Sequence, residues 1–253
     1  MVEEQGRTPI NGDAAGQQDV NEDGRGSRGK SISVFFPCYN EAEMVDELAD
    51  KSLKVLDSIC DDYEVVIVDD GSTDGTGEKA DRIAESNSRV KVVHHKPNSG
   101  YGGALQSGFK AATKELVFYT DGDGQFDIGE LPQLVEMIDD CDIVSGYRIK
   151  RNDSFIRKLN AAGWNRLVCL LFGIKIRDID CAFKLYRRKI FDDIEMRSMG
   201  ALIDTEILAR ATRKGYKIKQ VGVHHYPRTA GSSTGANIKV ILKAFIELAK
   251  LYR

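Results

Sequence analysis

The feature that most constrains the fold is a regular alternation of short apolar runs with helical stretches between residues 31 and 148. The apolar runs read SISVFF, YEVVIVDD, VKVVHH, ELVFYT and CDIVSGYR, and segments with helical periodicity separate them. Short β-branched runs that alternate with helices indicate a largely parallel sheet covered by helices on both faces. We therefore predict an α/β fold with a mostly parallel sheet, whose first strand ends at Pro37.

Carboxylates follow two of these predicted strands. Asp69 and Asp70 end the second strand, and Asp121 and Asp123 follow the fourth in VFYTDGDGQFD. Ligands of such sheets bind outside the carboxyl ends of the strands, and extended residues i and i+2 point to the same side. Because Mg²⁺ and Mn²⁺ prefer oxygen ligands, the loop is predicted to hold a divalent cation against a nucleotide diphosphate. A simple Asp- and Gly-rich turn is the alternative interpretation.

Composition narrows the possible functions. The formal net charge of -3 and the isoelectric point near 5.9 argue against a general nucleic-acid binder. No apolar run reaches the length of a membrane-spanning helix. The 5 cysteines form no C-x-x-C pair, which favours a reducing, cytoplasmic setting without a zinc or disulfide framework. A dinucleotide-binding dehydrogenase is excluded because PCYNE, not G-x-G-x-x-G, follows the first strand.

Three segments differ in character. Residues 1–30 are polar and Gly-rich, and we predict a disordered tail because they cannot bury enough apolar surface. Residues 31–234 form the folded domain. Residues 235–253 form an amphipathic helix whose lysine-flanked apolar face suits the plane of a membrane surface as well as the protein core.

Two adjacent histidine pairs, His94-His95 and His224-His225, lie at predicted strand ends. Adjacent residues of a strand point to opposite faces, so neither pair can hold a metal ion together. We predict structural roles for all of them.

Eight motifs carry a resemblance to a known family. In chain order they are FPCYNE (36–41), VDDGSTDGT (68–76), NSGYGGAL (98–105), DGDGQFD (121–127), SGYR (145–148), RDIDCAFKLYRR (177–188), DTEILARATRKGY (204–216) and PRTAGSS (227–233). With these motifs the chain resembles the family 2 glycosyltransferases, which have the GT-A fold, a Rossmann-like sheet flanked by helices. Within that family it looks most like the dolichyl- and polyprenyl-phosphate sugar synthases, over essentially residues 31 to 250.

The resemblance implies a nucleotide-sugar donor. The donor is bound after the first two strands, in the loop of residues 121–127, which we call the DGD loop, and by two arginines. The implied residues are Pro37, Tyr39, Asn40, Glu41, Asp69, Asp70, Gly71, Asp121, Gly122, Arg148 and Arg228. It also implies a Mg²⁺ or Mn²⁺ ion on Asp121, Asp123 and Gln125, with Asp123 and Gln125 the direct ligands. Many members carry Lys or Arg where this chain has Tyr101, so no phosphate contact is predicted there.

The acceptor side offers two kinds of residue. The implied catalytic residues are Asp121, Asp123 and Arg228, joined near the acceptor by Asp178, Asp204 and Glu206. A hydroxyl acceptor must lose a proton, so one of the last three carboxylates would serve as base. A lipid phosphate needs cations instead, which could come from Arg157, Lys158, Lys184, Arg187 and Arg188, with Arg157 and Lys184 assigned to acceptor binding. A solvated basic face is the alternative for these cations.

We therefore expect a metal-dependent, inverting glycosyltransferase that moves a hexose from a nucleotide-diphosphate sugar to a polyprenyl or dolichyl phosphate. A glycan or other hydroxyl acceptor is the first alternative, and a non-catalytic nucleotide-sugar-binding module is the second. The expected location is cytoplasmic and peripheral on the cytoplasmic face of a membrane, with no nucleic-acid partner.

Overall fold

A computed structural model describes residues 29–149, 155–228, 245–249 and 251, and for residues 155–160 it describes only the backbone. The predicted tail therefore lies almost entirely outside the described residues, as do residues 229–233 of the PRTAGSS motif. Most of the predicted carboxyl-terminal helix also lies outside them, although residues 245–249 and 251 are helical.

Seven strands form one sheet. They are β1 (Ser31–Cys38), β2 (Asp62–Asp69), β3 (Val90–His94), β4 (Leu116–Thr120), β5 (Ile143–Arg148), β6 (Phe183–Arg187) and β7 (Ile218–Val223). Their order across the sheet is β3-β2-β1-β4-β6-β5-β7, and β6 alone among them runs antiparallel to its neighbours. The predicted α/β fold with a mostly parallel sheet is confirmed.

Seven α-helices accompany the strands in the described residues, in addition to the helical residues 245–249 and 251. They are α1 (Val45–Ile59), α2 (Thr76–Ser86), α3 (Tyr101–Ala111), α4 (Leu131–Met137), α5 (Phe155–Phe172), α6 (Ile190–Asp193) and α7 (Ile203–Arg213). Short 3-10 turns at Ile128–Glu130 and Ile138–Asp140 flank α4. None of the helices described is long and apolar enough to cross a membrane.

The prediction that the first strand ends at Pro37 is wrong, because β1 continues to Cys38. Pro37 pairs with Val68 of β2, whereas the pairing of β1 with β4 covers only Ile32 to Phe35. The missing N–H of Pro37 thus lies beyond the residues that β4 pairs, where no ladder hydrogen bond is lost.

The arrangement brings distant segments to one edge of the sheet. The carboxyl ends of the parallel strands share this edge, and β6 begins there because Phe183 pairs with Thr120 at the end of β4. We call it the carboxyl edge. The antiparallel direction of β6 therefore delivers the segment before Phe183 to the same edge as the DGD loop.

The α3 helix packs unusually close to its neighbours because of its glycines. A Cβ atom at Gly108 would lie 2.2 Å from the Phe35 ring, and one at Gly102 would lie 2.4 Å from the Ser198 carbonyl oxygen. These approaches exclude any side chain at either position. Gly102 of NSGYGGAL thus serves close packing against the 198–200 segment, and Gly108, three residues after the motif, serves close packing against the sheet.

Candidate functional site

The loop after β1 is fixed by the loop after β2. Asn40 adopts a left-handed conformation with φ of 58°. Its N–H donates to Ser72 Oγ (3.0 Å), its Oδ1 accepts from the Thr73 N–H (2.9 Å), and the Glu41 N–H donates to Thr76 Oγ1 (3.0 Å). The FPCYNE and DGSTDGT motifs are therefore one structural unit that determines the position of Glu41.

Asp69 stabilises the end of β2 through local partners. Its Oδ1 accepts from the Ser72 N–H at 3.0 Å, and its Oδ2 lies 3.0 Å from His94 Nδ1. Burial raises the pKa of Asp69, but the hydrogen bonds from Ser72 and His94 outweigh it and bring the pKa below its usual value.

Asp70 is also satisfied from within the chain. Its Oδ1 lies 2.7 Å from His95 Nδ1 and accepts from the Ser99 N–H at 2.8 Å, and its Oδ2 accepts from the Gly100 N–H at 3.0 Å. His94 and His95 contact different carboxylates, in agreement with separate structural roles. Asp69 and Asp70 thus hold the loops that follow β2 and β3, and their predicted contact with a nucleotide stays a prediction.

The DGD loop lies directly against the end of β1. A Cβ atom at Gly122 would lie 2.5 Å from the Pro37 carbonyl oxygen and 2.9 Å from Cys38 Sγ. Gly124 has φ of +69°, and its Cβ would lie 2.4 Å from Met44 Cε. Only glycine allows this contact, which brings Asp123 beside the loop that carries Glu41.

Glu41, Asp123 and Arg228 form the centre of the site. Arg228 Nη2 donates to Asp123 Oδ2 at 2.7 Å, and Nη1 lies 3.4 Å from Glu41 Oε1. The second carboxylate oxygen of Glu41, Oε2, is buried and has no hydrogen-bond partner within the described part of the chain. Burial raises the pKa of Glu41, opposed by Arg228 and reinforced by Asp123.

A short paired segment explains how Arg228 arrives here from a distant part of the chain. The Tyr226 N–H donates to the Gln125 carbonyl oxygen at 2.8 Å, and Gln125 Nε2 donates to the Tyr226 carbonyl oxygen at 2.9 Å. Phe126 and His225 form an antiparallel bridge beside them. The segment after β7 is therefore attached to the DGD loop, which places Arg228 over Asp123.

Asp121 faces the opposite direction, towards α3. Its Oδ1 accepts from the Tyr101 hydroxyl at 2.9 Å. Burial raises the pKa of Asp121, and the nearby charge of Asp123 raises it further. The motif comparison predicted no phosphate contact for Tyr101, and the contact with Asp121 was not predicted because these residues lie on separate strand–helix units.

A buried ion pair lies behind Asp121. Lys184 is 0% exposed, and its Nζ donates to Asp204 Oδ1 at 2.6 Å and to the Cys181 carbonyl oxygen at 2.5 Å. The Tyr119 hydroxyl also donates to Asp204. The prediction that Lys184 contacts an acceptor conflicts with this burial, because every donor of its ammonium faces the protein interior.

Other predicted acceptor residues are also engaged or distant. Arg187 pairs with Leu116 at the start of β4, so it lies at the edge of the sheet opposite the DGD loop. The side chain of Arg157 lies outside the described residues. Lys184 and Arg187 are therefore not available to an acceptor bound beside the DGD loop.

Two further carboxylates predicted near the acceptor are held in ion pairs. Asp178 accepts two hydrogen bonds from Arg148, at 2.6 Å from Nε and 2.7 Å from Nη2. Glu206 accepts from the Ser198 N–H at 2.7 Å and from Arg210 Nε at 2.8 Å. Together with Asp204, all three candidate bases have cationic partners. The guanidinium of Arg148, which was predicted to bind phosphate, is paired with Asp178.

Asp180 is a carboxylate of this region that the motif comparison did not single out. It makes no hydrogen bond or ion pair within the described residues, is exposed to solvent, and lines a cavity of about 750 Å³ between α5 and the 174–178 segment. Arg166, Lys175 and Arg177 also line this cavity. Partial desolvation raises the pKa of Asp180 to about 6 although the residue is exposed to solvent, and the charges of Asp204 and Asp178 add to the effect. Its position two residues after Asp178 is the only sequence signal that could have indicated it.

The oxygen-rich centre suits a hard divalent cation. Oxygen atoms are supplied by Asp121, Asp123, Gln125 and Glu41. Among them, two carboxylates contact a single guanidinium, that of Arg228. The Oε2 atom of Glu41 is a buried acceptor without a hydrogen-bond partner in the described residues. Within the described part of the chain, no group of three or more His, Cys, Asp or Glu side chains could by itself hold a metal ion. A cation here would share its remaining positions with water and a second molecule, as Mg²⁺ commonly does with phosphates.

Comparison of the sequence with known proteins gave a family match and a curated relative. The sequence model of Glycosyl transferase family 2 matches residues 33–195. The glycosyltransferase AglD of Haloferax volcanii is 32% identical over 212 residues, which cover 79% of this chain and 34% of AglD. The chain thus spans about a third of the length of this curated relative.

Solved structures share the fold at low sequence identity. Glucosyl-3-phosphoglycerate synthase from Mycobacterium tuberculosis, in complex with Mn²⁺, UDP and phosphoglyceric acid, superposes with a TM-score of 0.67 at 19% identity, over 88% of this chain and 79% of that one. Mannosyl-3-phosphoglycerate synthase from Rubrobacter xylanophilus gives a TM-score of 0.65 at 18% identity, over 88% and 72% of the two chains. These likenesses establish the architecture of the sheet and its helices.

Proposed function

The chain belongs to glycosyl transferase family 2, and from this premise we propose that it is a metal-dependent, inverting glycosyltransferase. It moves a hexose from a nucleotide-diphosphate sugar to a polyprenyl or dolichyl phosphate. The observation that carries the proposal is the convergence of Glu41, Asp123 and Arg228 at the carboxyl edge, with Asp121 in the same loop. In sheets of this type, that edge is where ligands bind.

The donor site combines oxygen ligands with a guanidinium. Asp121, Asp123 and Gln125 would hold Mg²⁺ or Mn²⁺, which supplies positive charge to offset the charge that develops on a departing nucleoside diphosphate. Arg228 is the side chain that reaches this diphosphate, since its planar fork fits phosphate oxygens. The mycobacterial relative of the same fold was crystallised with Mn²⁺ and UDP, which supports this donor chemistry.

The choice of a phosphate acceptor rests on the ion pairs made by the three carboxylates predicted near the acceptor. Asp178, Asp204 and Glu206 are each held by an arginine or lysine, so none of them is an available base. An acceptor phosphate is already anionic and needs no base, which favours it over a hydroxyl. The cavity beside Asp178 carries Arg166, Lys175 and Arg177 and is our candidate for the acceptor phosphate.

A hydroxyl acceptor is the second candidate function, and Asp180 is the observation that favours it. Its carboxylate faces the same cavity without a hydrogen-bond partner in the described residues, and its pKa is raised to about 6. Such a carboxylate could accept a proton from a glycan hydroxyl near neutral pH. In that case Asp180, and not the three paired carboxylates, would be the base.

The proposed location at a membrane surface follows from the lipid nature of the acceptor. A polyprenyl phosphate is embedded in a bilayer, so we propose that the chain acts peripherally at the cytoplasmic face of a membrane. Phe245 and Ile246, exposed by 46% and 60% in the helical residues near the carboxyl terminus, provide an apolar surface for such contact.

A donor and acceptor panel tests the proposal. GDP-mannose, UDP-glucose and UDP-GlcNAc are each incubated with the protein, Mn²⁺ or Mg²⁺, and either a short-chain polyprenyl phosphate or a free glycan. We expect one donor to give a glycosylated lipid phosphate with inverted anomeric configuration, and the Asp123→Ala variant to be inactive. Transfer only to the free glycan would favour the second candidate. No transfer from any donor, or full activity in Asp123→Ala, would contradict the proposal.

A further inference from the structure

Arg228 holds the same carboxylate oxygen that a divalent cation requires. The guanidinium lies 2.7 Å from Asp123 Oδ2 and 3.4 Å from Glu41 Oε1, and it bridges the two carboxylates. Both carboxylate side chains are largely buried, at 8% and 10% exposure, whereas that of Arg228 is 24% exposed. The guanidinium is therefore the solvent-facing member of the cluster.

The geometry around Asp123 leaves little room for the Arg228 guanidinium and a divalent cation to bind Oδ2 at the same time. The other oxygen of Asp123, Oδ1, accepts from the Gln125 N–H at 3.1 Å, so Oδ2 is the oxygen directed at the centre of the site. Mg²⁺ binds carboxylate oxygen at about 2.0–2.1 Å and demands a near-octahedral set of ligands. A guanidinium in hydrogen-bond contact with the same oxygen occupies part of that coordination sphere, and the two positive charges repel each other.

The attachment of the 224–226 segment to the DGD loop does not depend on the guanidinium of Arg228. The backbone of Arg228 follows the segment 224–226, which is attached to the DGD loop by backbone pairing and not by the guanidinium. A diphosphate offers the guanidinium a second set of anionic oxygens, with the planar geometry that arginine prefers. Glu41 would then present both of its carboxylate oxygens to the site, including the buried Oε2 that has no partner among the described residues.

We propose that Arg228 and the divalent cation are alternative partners of Asp123. When a nucleoside diphosphate binds, the guanidinium of Arg228 moves from Asp123 to the phosphate oxygens, and the cation takes its place. This inference rests on the proposed function, because it takes the cation and the diphosphate from it. Its consequence is an order of assembly, in which the cation binds tightly only together with the nucleotide. Because the coupling is reciprocal, the nucleotide also binds more tightly when the cation is present.

Manganese titration monitored by electron paramagnetic resonance tests the inference without any reference to catalysis, since free Mn²⁺ gives the signal. The full chain is titrated with and without GDP or UDP, as wild type, Arg228→Gln and Arg228→Lys. Arg89→Gln is the matched control, because Arg89 is a partly exposed arginine paired with Asp57, remote from the DGD loop. Circular dichroism establishes that each variant is folded.

Without nucleotide, we expect Arg228→Gln to bind Mn²⁺ at least tenfold more tightly than wild type, because Asp123 Oδ2 is then released. Arg228→Lys keeps the positive charge and is expected to stay within about threefold of wild type, as is Arg89→Gln. The gain in Mn²⁺ affinity that nucleotide gives wild type is expected to shrink several-fold in Arg228→Gln.

Two results would overturn the inference in distinguishable ways. Equal Mn²⁺ affinity of wild type and Arg228→Gln without nucleotide, with nucleotide-dependent binding in both, contradicts the competition and leaves the proposed function intact. No Mn²⁺ binding by any variant, with or without nucleotide, contradicts both the inference and the metal dependence of the proposed function.

Discussion

The hydroxyl of Tyr101 donates a hydrogen bond of 2.9 Å to Asp121 Oδ1, and thereby connects the first residue of α3 to the DGD loop. Asp121 follows β4, whereas Tyr101 follows β3, and β1 and β2 lie between these strands in the sheet. The contact therefore fixes the orientation of a candidate cation-binding carboxylate from across the site. Tyr101 is a positioning residue in this arrangement.

Replacement of that hydroxyl is the first prediction. Tyr101→Phe removes a hydrogen bond to a charged group, worth about 1.5–3 kcal/mol, so we expect kcat/KM for the donor to fall roughly 10- to 100-fold. Mn²⁺ affinity in the presence of nucleotide is expected to fall with it, as measured by paramagnetic resonance. Tyr216→Phe removes a similar tyrosine–aspartate contact at an exposed position and should change neither quantity. Unchanged Mn²⁺ affinity in Tyr101→Phe would show that the hydroxyl does not position Asp121.

A second prediction concerns the space around Gly122. A methyl group at this position would lie 2.5 Å from the Pro37 carbonyl oxygen, and a backbone atom cannot give way as a flexible side chain does. Gly122→Ala should therefore displace the DGD loop, destabilise the fold by about 1–3 kcal/mol and abolish nucleotide-dependent Mn²⁺ binding. Urea denaturation and Mn²⁺ titration measure the two effects.

The control for Gly122 is Gly163, which lies in α5 and has nothing within 4 Å of an added Cβ. Gly163→Ala should stabilise the protein by roughly 0.5–1 kcal/mol through lower backbone entropy in the unfolded chain. If both alanine variants bind Mn²⁺ like wild type, close contact at Gly122 is not required for the site.

A third prediction addresses the buried pair of Lys184 and Asp204. Lys184→Met leaves the Asp204 carboxylate buried without its cation, and breaking a buried pair in this way costs about 3–5 kcal/mol. Lys219→Met breaks an exposed pair with Asp140 and should lower the free energy of unfolding far less than Lys184→Met does. Comparison of the two urea midpoints tests the assignment. Similar losses in the two variants would mean that Lys184 does not have the structural role we assign to it.

A fourth prediction is the pH dependence of Asp180. Its folded-state pKa of about 6 lies above the ordinary value of 3.8, so the folded state holds its proton more strongly than the unfolded state does. The ionised carboxylate thus opposes folding, and this opposition grows as pH rises from about 4 and is complete above about 6. Because Asp180 is exposed and solvent screens its charge, Asp180→Asn should be only slightly more stable than wild type above pH 6, with the difference vanishing below pH 4.

The same variant separates the two acceptor candidates. With a polyprenyl phosphate acceptor, Asp180→Asn should retain kcat, because no proton has to be removed from the acceptor. With a hydroxyl acceptor, kcat should fall at least 100-fold, and the acidic limb of the pH–rate profile near pH 6 should disappear. Stability curves with no difference between wild type and variant at pH 8 would contradict the assigned environment of Asp180.

Local periodicity was sufficient to predict most of the architecture. The apolar runs that became β1 to β5 and the helices between them were visible in the sequence, because alternation, glycine and capping residues act over a few positions. The sequence left both a short strand and a loop open for β6, since KLYR has mixed polarity and its position depends on pairing with β4, some 65 residues earlier in the chain. Its antiparallel direction is a property of the assembled sheet.

The sequence by itself determined which residues reach the carboxyl edge: Asp69, Asp70, Asp121 and Asp123 follow strands whose ends must meet there. Only the tertiary structure decided what each carboxylate does. Asp70 accepts hydrogen bonds from the loop after β3. Asp204 is paired with Lys184, and Asp178 is paired with Arg148. Asp123 is paired with Arg228, which lies 105 residues away in the sequence. The reason is physical, since strand periodicity is short-ranged, whereas the pairing of buried charges depends on groups that folding alone brings within a few ångströms.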